Sequence, residues 1–189
     1  MPGDDFMYGS GPSYMLSAIV TKVTGRTIQD LLAERLFRPL GMGPISWDMS
    51  PEGYNTGGNG LSCSPEDMAK FGLLHLQGGV WQGQRILSEE WVRAATRNQV
   101  REAWLGVLDG RRYSRPAEGA AQGASPMGGY GYQWWMMGDG GYYASGLFGQ
   151  NCFVLPALDA VVVFNAALPL GERRRTQFMR EHLLPAIGR

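Results

Sequence analysis

The chain has 189 residues, with 17 Lys and Arg against 17 Asp and Glu, so its formal net charge is zero. This balance excludes a nucleic-acid-binding protein, which needs a basic excess to neutralise phosphates, and a cationic membrane-surface helix. Apolar residues make up 44% of the chain and charged residues 18%, which predicts a globular domain with a buried core rather than a disordered chain.

The sequence carries no sign of a metal or cofactor. It has no Gly-rich phosphate loop and no H-E-x-x-H motif, and Cys63 and Cys152 have neither C-x-x-C spacing nor a nearby pair of histidines. We therefore expect no metal site, no cofactor and no disulfide framework. His75 and His182 fall on predicted helices, and no strained serine signals a Ser-His-Asp triad, so both are interpreted as ordinary helix residues.

No segment predicts a membrane span or an export signal. The most apolar stretch, residues 160–168, has about nine residues against the roughly 20 that cross a bilayer. The first residues, MPGDDF, are acidic and lack the basic and apolar regions of a signal peptide, so the compartment stays unknown.

The first half of the chain shows helix signals in order. Apolar side chains recur at helical spacing between residues 13 and 24, which predicts a helix with Ser13 as its N-cap and Gly25 as its end. A second helix begins at a capping-box pattern on Thr27, ends before Pro39 and is expected to pack against the first. The predicted buried stripe of this second helix comprises Leu31, Leu32, Leu36 and Phe37.

Two further helices are signalled by N-cap serines. Ser64, followed by Pro65 and two acidic residues, predicts a helix that runs to about Gln77. Ser88 begins a shorter one. Residues 105–129 are rich in Gly, Ala, Pro and Arg without periodicity, which predicts a long surface loop.

Beyond residue 129 the composition changes to Tyr, Trp, Phe and Val. Runs near residues 130–137, 142–155 and 160–167, separated by turn signals, predict an antiparallel meander. A last helix, from about residue 172 to 184, is expected to cover one face of the sheet with Phe178, Leu183 and Leu184.

Helices followed by a run of strands predict an α+β fold, an antiparallel sheet flanked by helices. We expect a single, incomplete domain over residues 1–189. Its parts are residues 1–129, mostly helix and loop, and residues 130–189, strands plus the last helix.

Seven short segments, in order, resemble one family. They are residues 6–11 (FMYGSG), 23–25 (VTG), 36–42 (LFRPLGM), 58–72 (beginning GNGLSCS), 86–92 (ILSEEWV), 130–135 (YGYQWW) and 144–150 (ASGLFGQ). They are similar to serine β-lactamase-related and penicillin-binding-protein-like hydrolases. Within that family, the residues of these motifs most resemble the branch of 6-aminohexanoate-oligomer hydrolases and esterases. The resemblance implies a β-lactamase/transpeptidase-like fold that lacks its N-terminal portion.

The family mechanism implies roles for six residues. A serine in S-x-x-K attacks a carbonyl, the lysine and a loop tyrosine move its proton, and a strand motif lines the site. By motif matching, Tyr8 is the acid/base tyrosine and Ser10 the third position of its loop. The strand motif comprises Ser145, Gly146, Leu147 and Gln150, with the backbone N–H of Leu147 as an oxyanion-hole donor. Ala144 replaces the Lys or His of other branches, which argues against recognition of a substrate carboxylate by that side chain.

The S-x-x-K motif does not occur in these residues. Ile19 stands three residues before Lys22, and Asp67 three before Lys70. Lys22 also lies about 13 Å along the predicted helix from the end nearest Tyr8, so it is too distant to assist that phenol.

These observations leave three hypotheses. The first is the C-terminal portion of a serine hydrolase for a small-molecule amide or ester, inactive by itself because its nucleophile lies elsewhere. The second is a non-catalytic binding or assembly module derived from that family. The third is complementation or self-association, in which a partner covers a sheet edge left exposed by missing strands.

Overall fold

The computed structural model describes residues 6–100, 104–105, 107–109, 112–114, 129–138, 140–167 and 177–187. Its helices are α1 (Ser10–Thr24), α2 (Ile28–Leu32) with a π-helical turn at Ala33–Phe37, α3 (Pro65–Leu76), α4 (Glu89–Ala95) and, after a π-helical turn at Met179–Leu183, α5 (Leu184–Ile187). Among the helices of these ranges, none is both long enough and apolar enough to cross a membrane.

The strands form one larger sheet and several two-stranded pairs. They are β1 (Met7–Tyr8), β2 (Ser46–Trp47), β3 (Leu61–Ser62), β4 (Val80–Trp81), β5 (Gln84–Arg85), β6 (Trp104–Leu105), β7 (Val107–Asp109), β8 (Arg112–Ser114), β9 (Trp135–Met136), β10 (Tyr142–Ser145), β11 (Asn151–Leu155) and β12 (Ala160–Phe164). The larger sheet is antiparallel in the order β12-β11-β10-β9, whereas β1 pairs with β6 in parallel. The predicted α+β meander is confirmed.

Helix α1 begins four residues earlier than predicted. Its N-cap is Gly9, in an extended conformation, and Ser13 lies inside the helix instead of capping it. Pro12 is accommodated because the first-turn N–H groups have no helical partner to lose. Gly25 ends the helix as predicted, with a left-handed φ of +68° and its N–H donated to Thr21 O.

The other N-caps are confirmed. The side chains of Thr27, Ser64 and Ser88 each accept a hydrogen bond from the backbone N–H three residues further on. Leu36 and Phe37 of the predicted stripe are buried, and they pack with Leu40 and Leu74 in a cluster between α2 and α3. Helices α1 and α2 contact each other, as expected.

The prediction of a surface loop at residues 105–129 is wrong for the first part of that range. Leu105 belongs to β6, and β7 and β8 pair antiparallel with Val107 opposite Ser114. Val and Tyr in this stretch favour extended backbone, a local signal that its Gly and Arg content obscured. Residues 115–128 lie outside the described ranges.

The larger sheet has two covered faces. On the Tyr8 face, Trp135, Tyr143 and Phe153 share a cluster with Met179, and partly buried Leu183 and Leu184 pack against it. On the α3 face, Tyr142, Cys152 and Val154 pack beside Phe71 of α3. The C-terminal helical segment therefore covers one face, as predicted, although Phe178 is largely exposed and the predicted start near residue 172 lies outside the described ranges.

Helix α1 exposes its apolar side. Met15, Leu16, Ile19 and Val23, here called the α1 stripe, are all more than half exposed, Val23 by 79%. The buried residue of α1 is Ser17, whose hydroxyl donates to Asn55 O at 2.6 Å. The helix is thus attached through a polar contact while its apolar stripe faces outward.

Candidate functional site

Tyr8 is held in an aromatic cluster formed by Phe6, Tyr8, Tyr130 and Trp135. Its ring centroid lies 5.4 Å from that of Trp135 and 6.0 Å, edge-on, from that of Tyr130. Phe6 stacks on Tyr130 at 4.8 Å, and Tyr130 meets Trp135 at 4.7 Å. Such offset and edge contacts fix ring orientation as well as burying area. The cluster therefore holds the Tyr8 ring against the larger sheet.

Tyr130 supports this cluster as a neutral phenol. Burial, and then the neighbouring Tyr8, raise the pKa of Tyr130 well above its ordinary value. Its hydroxyl donates to Gln133 Oε1 at 3.3 Å. Tyr130 is thus a packing and hydrogen-bonding residue beside Tyr8.

Ser10 lies at the start of α1, exposed, under a glycine loop. A Cβ added to Gly58 would stand 2.9 Å from Ser10 O and from Ser10 Cβ. A Cβ on Gly57, whose φ is +70°, would stand 2.5 Å from Ser13 O. These glycines let the loop of residues 55–60 rest on the first turn of α1.

The strand motif occupies the end of β10 and a tight hairpin tip at residues 146–150. Ser145 of β10 is paired with Asn151 of β11. The N–H of Gly146 donates to Gln150 O at 2.7 Å, and the N–H of Gly149 donates to Gly146 O at 3.2 Å. Gln150 turns its side chain to Ala166 O at 3.1 Å, so it braces the tip.

The hairpin tip presents Leu147 outward. The Leu147 side chain is 77% exposed. Within the described part of the chain its backbone N–H has no hydrogen-bond acceptor. The N–H is therefore free to donate to an acceptor outside the described part of the chain.

Tyr8 and the strand motif share one face of the sheet. Tyr8 packs on Trp135, and Trp135 is directly opposite Tyr143 in the β9–β10 pair. Ser145, two residues beyond Tyr143, points to the same face because side chains alternate along a strand. The structure thus relates Tyr8 to the motif through β9, whereas Ser10 lies under the glycine loop at the start of α1.

Neither lysine is placed to assist Tyr8. Lys70 donates to Gly41 O and forms an ion pair with Asp67 Oδ1 at 3.2 Å. Burial opposes ionisation of Asp67, but hydrogen bonds from Ser64, Gly43 and Lys70 outweigh it and lower its pKa. Lys22 is exposed on α1, roughly 18 Å along the helix axis from Ser10.

An antiparallel sheet between α3 and a C-terminal helical segment, with Tyr8 packed on its face, has the architecture of the β-lactamase/transpeptidase-like fold. The chain belongs to the beta-lactamase family, whose model, described as Beta-lactamase, matches residues 1–184. It is 30% identical to the 6-aminohexanoate-dimer hydrolase of Paenarthrobacter ureafaciens over 98% of this chain and 45% of that protein.

Solved structures show the same fold. A Bacillus anthracis protein, provisionally described as a 6-aminohexanoate-dimer hydrolase, superposes with a TM-score of 0.75 at 21% identity, covering 98% of this chain and 44% of that one. A β-lactamase from Mycobacterium bovis superposes with a TM-score of 0.66 at 22% identity, covering 98% and 63%. The family resemblance of the seven segments is confirmed, and the chain spans less than half the length of the curated relative.

Proposed function

We propose that the chain supplies the tyrosine and strand-motif portion of a serine hydrolase that cleaves a small-molecule amide or ester through an acyl-enzyme. The observation that carries this proposal is the fixed position of Tyr8 in the aromatic cluster, on the sheet face to which Ser145 points. The hydrolase name of the Paenarthrobacter relative supports the reaction class.

In this proposal each residue has one role. Tyr8 moves the proton between the nucleophile and the leaving group, and Ser10 completes its loop. The N–H of Leu147 donates to the oxygen that becomes negative in the tetrahedral intermediate, with Ser145 and Gly146 lining the adjacent strand and Gln150 bracing the tip. Positioned proton transfer contributes about 10²- to 10⁴-fold to such rates.

The nucleophile comes from polypeptide outside these 189 residues, because S-x-x-K is absent from them. The α1 stripe supports this part of the proposal. A contiguous apolar patch on a surface helix typically marks an interface. We expect further polypeptide, in the same chain or in a partner, to cover the α1 stripe or an edge of the larger sheet, where β9 and β12 lie.

A serine-reactive fluorophosphonate tests the proposal. The 189-residue chain should remain unlabelled, and a version extended by the reading frame upstream of Met1 should be labelled. Tyr8→Phe in the extended version should slow labelling about 10²-fold or more, whereas Tyr132→Phe, at an exposed tyrosine outside the aromatic cluster, should not. An extended protein that is not labelled would overturn the proposal.

The second candidate is a non-catalytic binding or assembly module. Lys70 is paired with Asp67, and Lys22 is remote from Tyr8. Neither lysine is placed to assist proton transfer by Tyr8, which favours this candidate. It predicts that no upstream reading frame encodes S-x-x-K and that the 189-residue chain is folded and monodisperse in size-exclusion chromatography. An upstream S-x-x-K together with aggregation of the isolated chain would exclude it.

A further inference from the structure

The hairpin tip contains an unusual backbone position. Phe148 has a φ of +67°, in the left-handed region. A bulky side chain disfavours this conformation, which a glycine adopts without penalty. Because the Phe148 side chain is 50% exposed, its packing does not compensate fully for the strain. Strain of this kind, held in place by surrounding structure, is typical of functional sites.

Other residues in the left-handed region have local explanations. Gln133, also at +67°, hydrogen bonds to Ser13, and Asp159, at +46°, closes the turn between β11 and β12. Gln82, at +47°, lies in the tight turn between β4 and β5. All three are polar. Phe148 differs from them because its ring gives the turn no hydrogen bond, so folding of the hairpin does not account for its identity.

The tip is hydrogen-bonded and uncharged. The two backbone hydrogen bonds of the tip and the Gln150 contact with Ala166 hold it in place. Residues 144–151 contain no ionisable side chain. The amide of Asn151 is buried and donates to Ala144 O at 3.4 Å, so it turns away from solvent. What the tip offers outward is apolar surface from Leu147 and Phe148.

We propose that the side chains of Leu147 and Phe148 form a binding surface for a neutral aliphatic acyl arm of the substrate. This inference rests on the proposed function, in which the Leu147 N–H receives the carbonyl oxygen, so that the acyl arm leaves the carbonyl beside the two side chains. An arm ending in a carboxylate is disfavoured, because desolvating its charge against this surface is not offset by a cation within residues 144–151.

Binding of uncleavable probes to the 189-residue chain tests the surface without any catalysis. By calorimetry, N-methyloctanamide should bind more tightly than N-methylacetamide and more tightly than octanoate. Phe148→Gly and Phe148→Ala should each weaken N-methyloctanamide binding about tenfold, the effect of one lost apolar contact surface. Phe178→Ala, at a similarly exposed phenylalanine, and Ile19→Ala, on the α1 stripe, should leave the affinity unchanged.

Thermal unfolding separates binding from packing. Phe148→Gly removes the strain and should raise the Tm, while Phe148→Ala keeps the left-handed strain and should not. A lower Tm for Phe148→Gly, equal affinity in the Phe148 variants, or equal binding of octanoate would each overturn the inference. Fluorophosphonate labelling tests the hydrolase proposal separately. If the extended protein is not labelled but amide binding depends on Phe148, only the proposed reaction is overturned. If the extended protein is labelled but amide binding does not depend on Phe148, only the proposed binding surface is overturned.

Discussion

Gln133 donates a hydrogen bond from Nε2 to Ser13 Oγ, 3.1 Å away, and joins the turn before β9 to the first turn of α1. Its Oε1 accepts from the Tyr130 hydroxyl at 3.3 Å. One side-chain amide therefore connects the aromatic cluster around Tyr8 to the helix that begins at Ser10. This connection sets the position of the tyrosine loop relative to the sheet.

Replacing Gln133 should reveal both this link and the backbone strain beneath it. Gln133→Ala loses two hydrogen bonds but keeps the left-handed φ of +67°, and we expect the free energy of unfolding to fall by about 1–2 kcal/mol. Gln133→Gly loses the same bonds but relieves the strain, so it should be about 1 kcal/mol more stable than Gln133→Ala. Urea unfolding measures both values, and equal stabilities would contradict the strain.

Replacing one buried hydroxyl on α1 should raise the free energy of unfolding. Thr21 Oγ1 is buried with no hydrogen-bond partner among the described residues. Thr21→Val keeps the shape and removes the desolvated polar group, so the free energy of unfolding should rise by about 1 kcal/mol. Thr24→Val is the matched control, because Thr24 Oγ1 donates to Val20 O at 2.7 Å, and it should be neutral or destabilising. Equal effects of the two substitutions in urea unfolding would refute this reading.

Local signals predicted the helix caps because each lies within four residues of the group that it satisfies. Thr27, Ser64 and Ser88 are examples. The predicted start of α1 was wrong for a related reason. Ser13 is a good N-cap by residue type, but its hydroxyl accepts a hydrogen bond from Gln133, 120 residues further along the chain. Residue type alone does not show that competition.

The candidate site was predicted only in part, because its motifs are local and its supports are not. Tyr8 and the residues around Gly146 were assigned to the site by motif. The contact of Gly58 with Ser10, the bridge through Gln133 and the strained φ of Phe148 depend on how distant segments fold together, and no periodicity reports them. The sequence likewise did not predict that the α1 stripe faces outward, because helical spacing predicts an apolar face but not what covers it.

The contact between α3 and the sheet depends on the absence of one side chain. A Cβ on Gly72 would lie 2.7 Å from Cys152 Sγ and 2.8 Å from Val161 Cγ1. Gly72→Ala should therefore lower the free energy of unfolding by about 1–3 kcal/mol through overpacking. Gly11→Ala, in α1 with open space at the added Cβ, should be neutral or stabilising by about 0.5–1 kcal/mol. Combining Gly72→Ala with Cys152→Ala should recover part of the loss, and no recovery would contradict the proposed clash.

The two thiols should differ in reactivity. Burial, and then the neighbouring Cys63, raise the pKa of Cys152 to about 12, while burial and then the Asp67 charge raise the pKa of the half-buried Cys63. The thiolate is the reactive form. At pH 8 Ellman's reagent should therefore modify Cys63 slowly and Cys152 only after unfolding in guanidinium. Rapid modification of both thiols in the folded protein would contradict the burial of Cys152.

The raised pKa of Cys152 should also make the free energy of unfolding decrease at alkaline pH. The pKa of Cys152 is higher in the folded chain than the value of about 8.5 expected after unfolding, so its contribution is fully present below pH ~8.5 and is lost as the pH rises toward about 12. Between pH 8 and 10 the wild-type free energy of unfolding should fall by up to about 2 kcal/mol more than that of Cys152→Ala. Tyr130 and Tyr142, whose pKa values burial also raises, remain in both proteins and act mainly at higher pH. Parallel pH profiles for the two proteins in urea would show that Cys152 is not the group responsible.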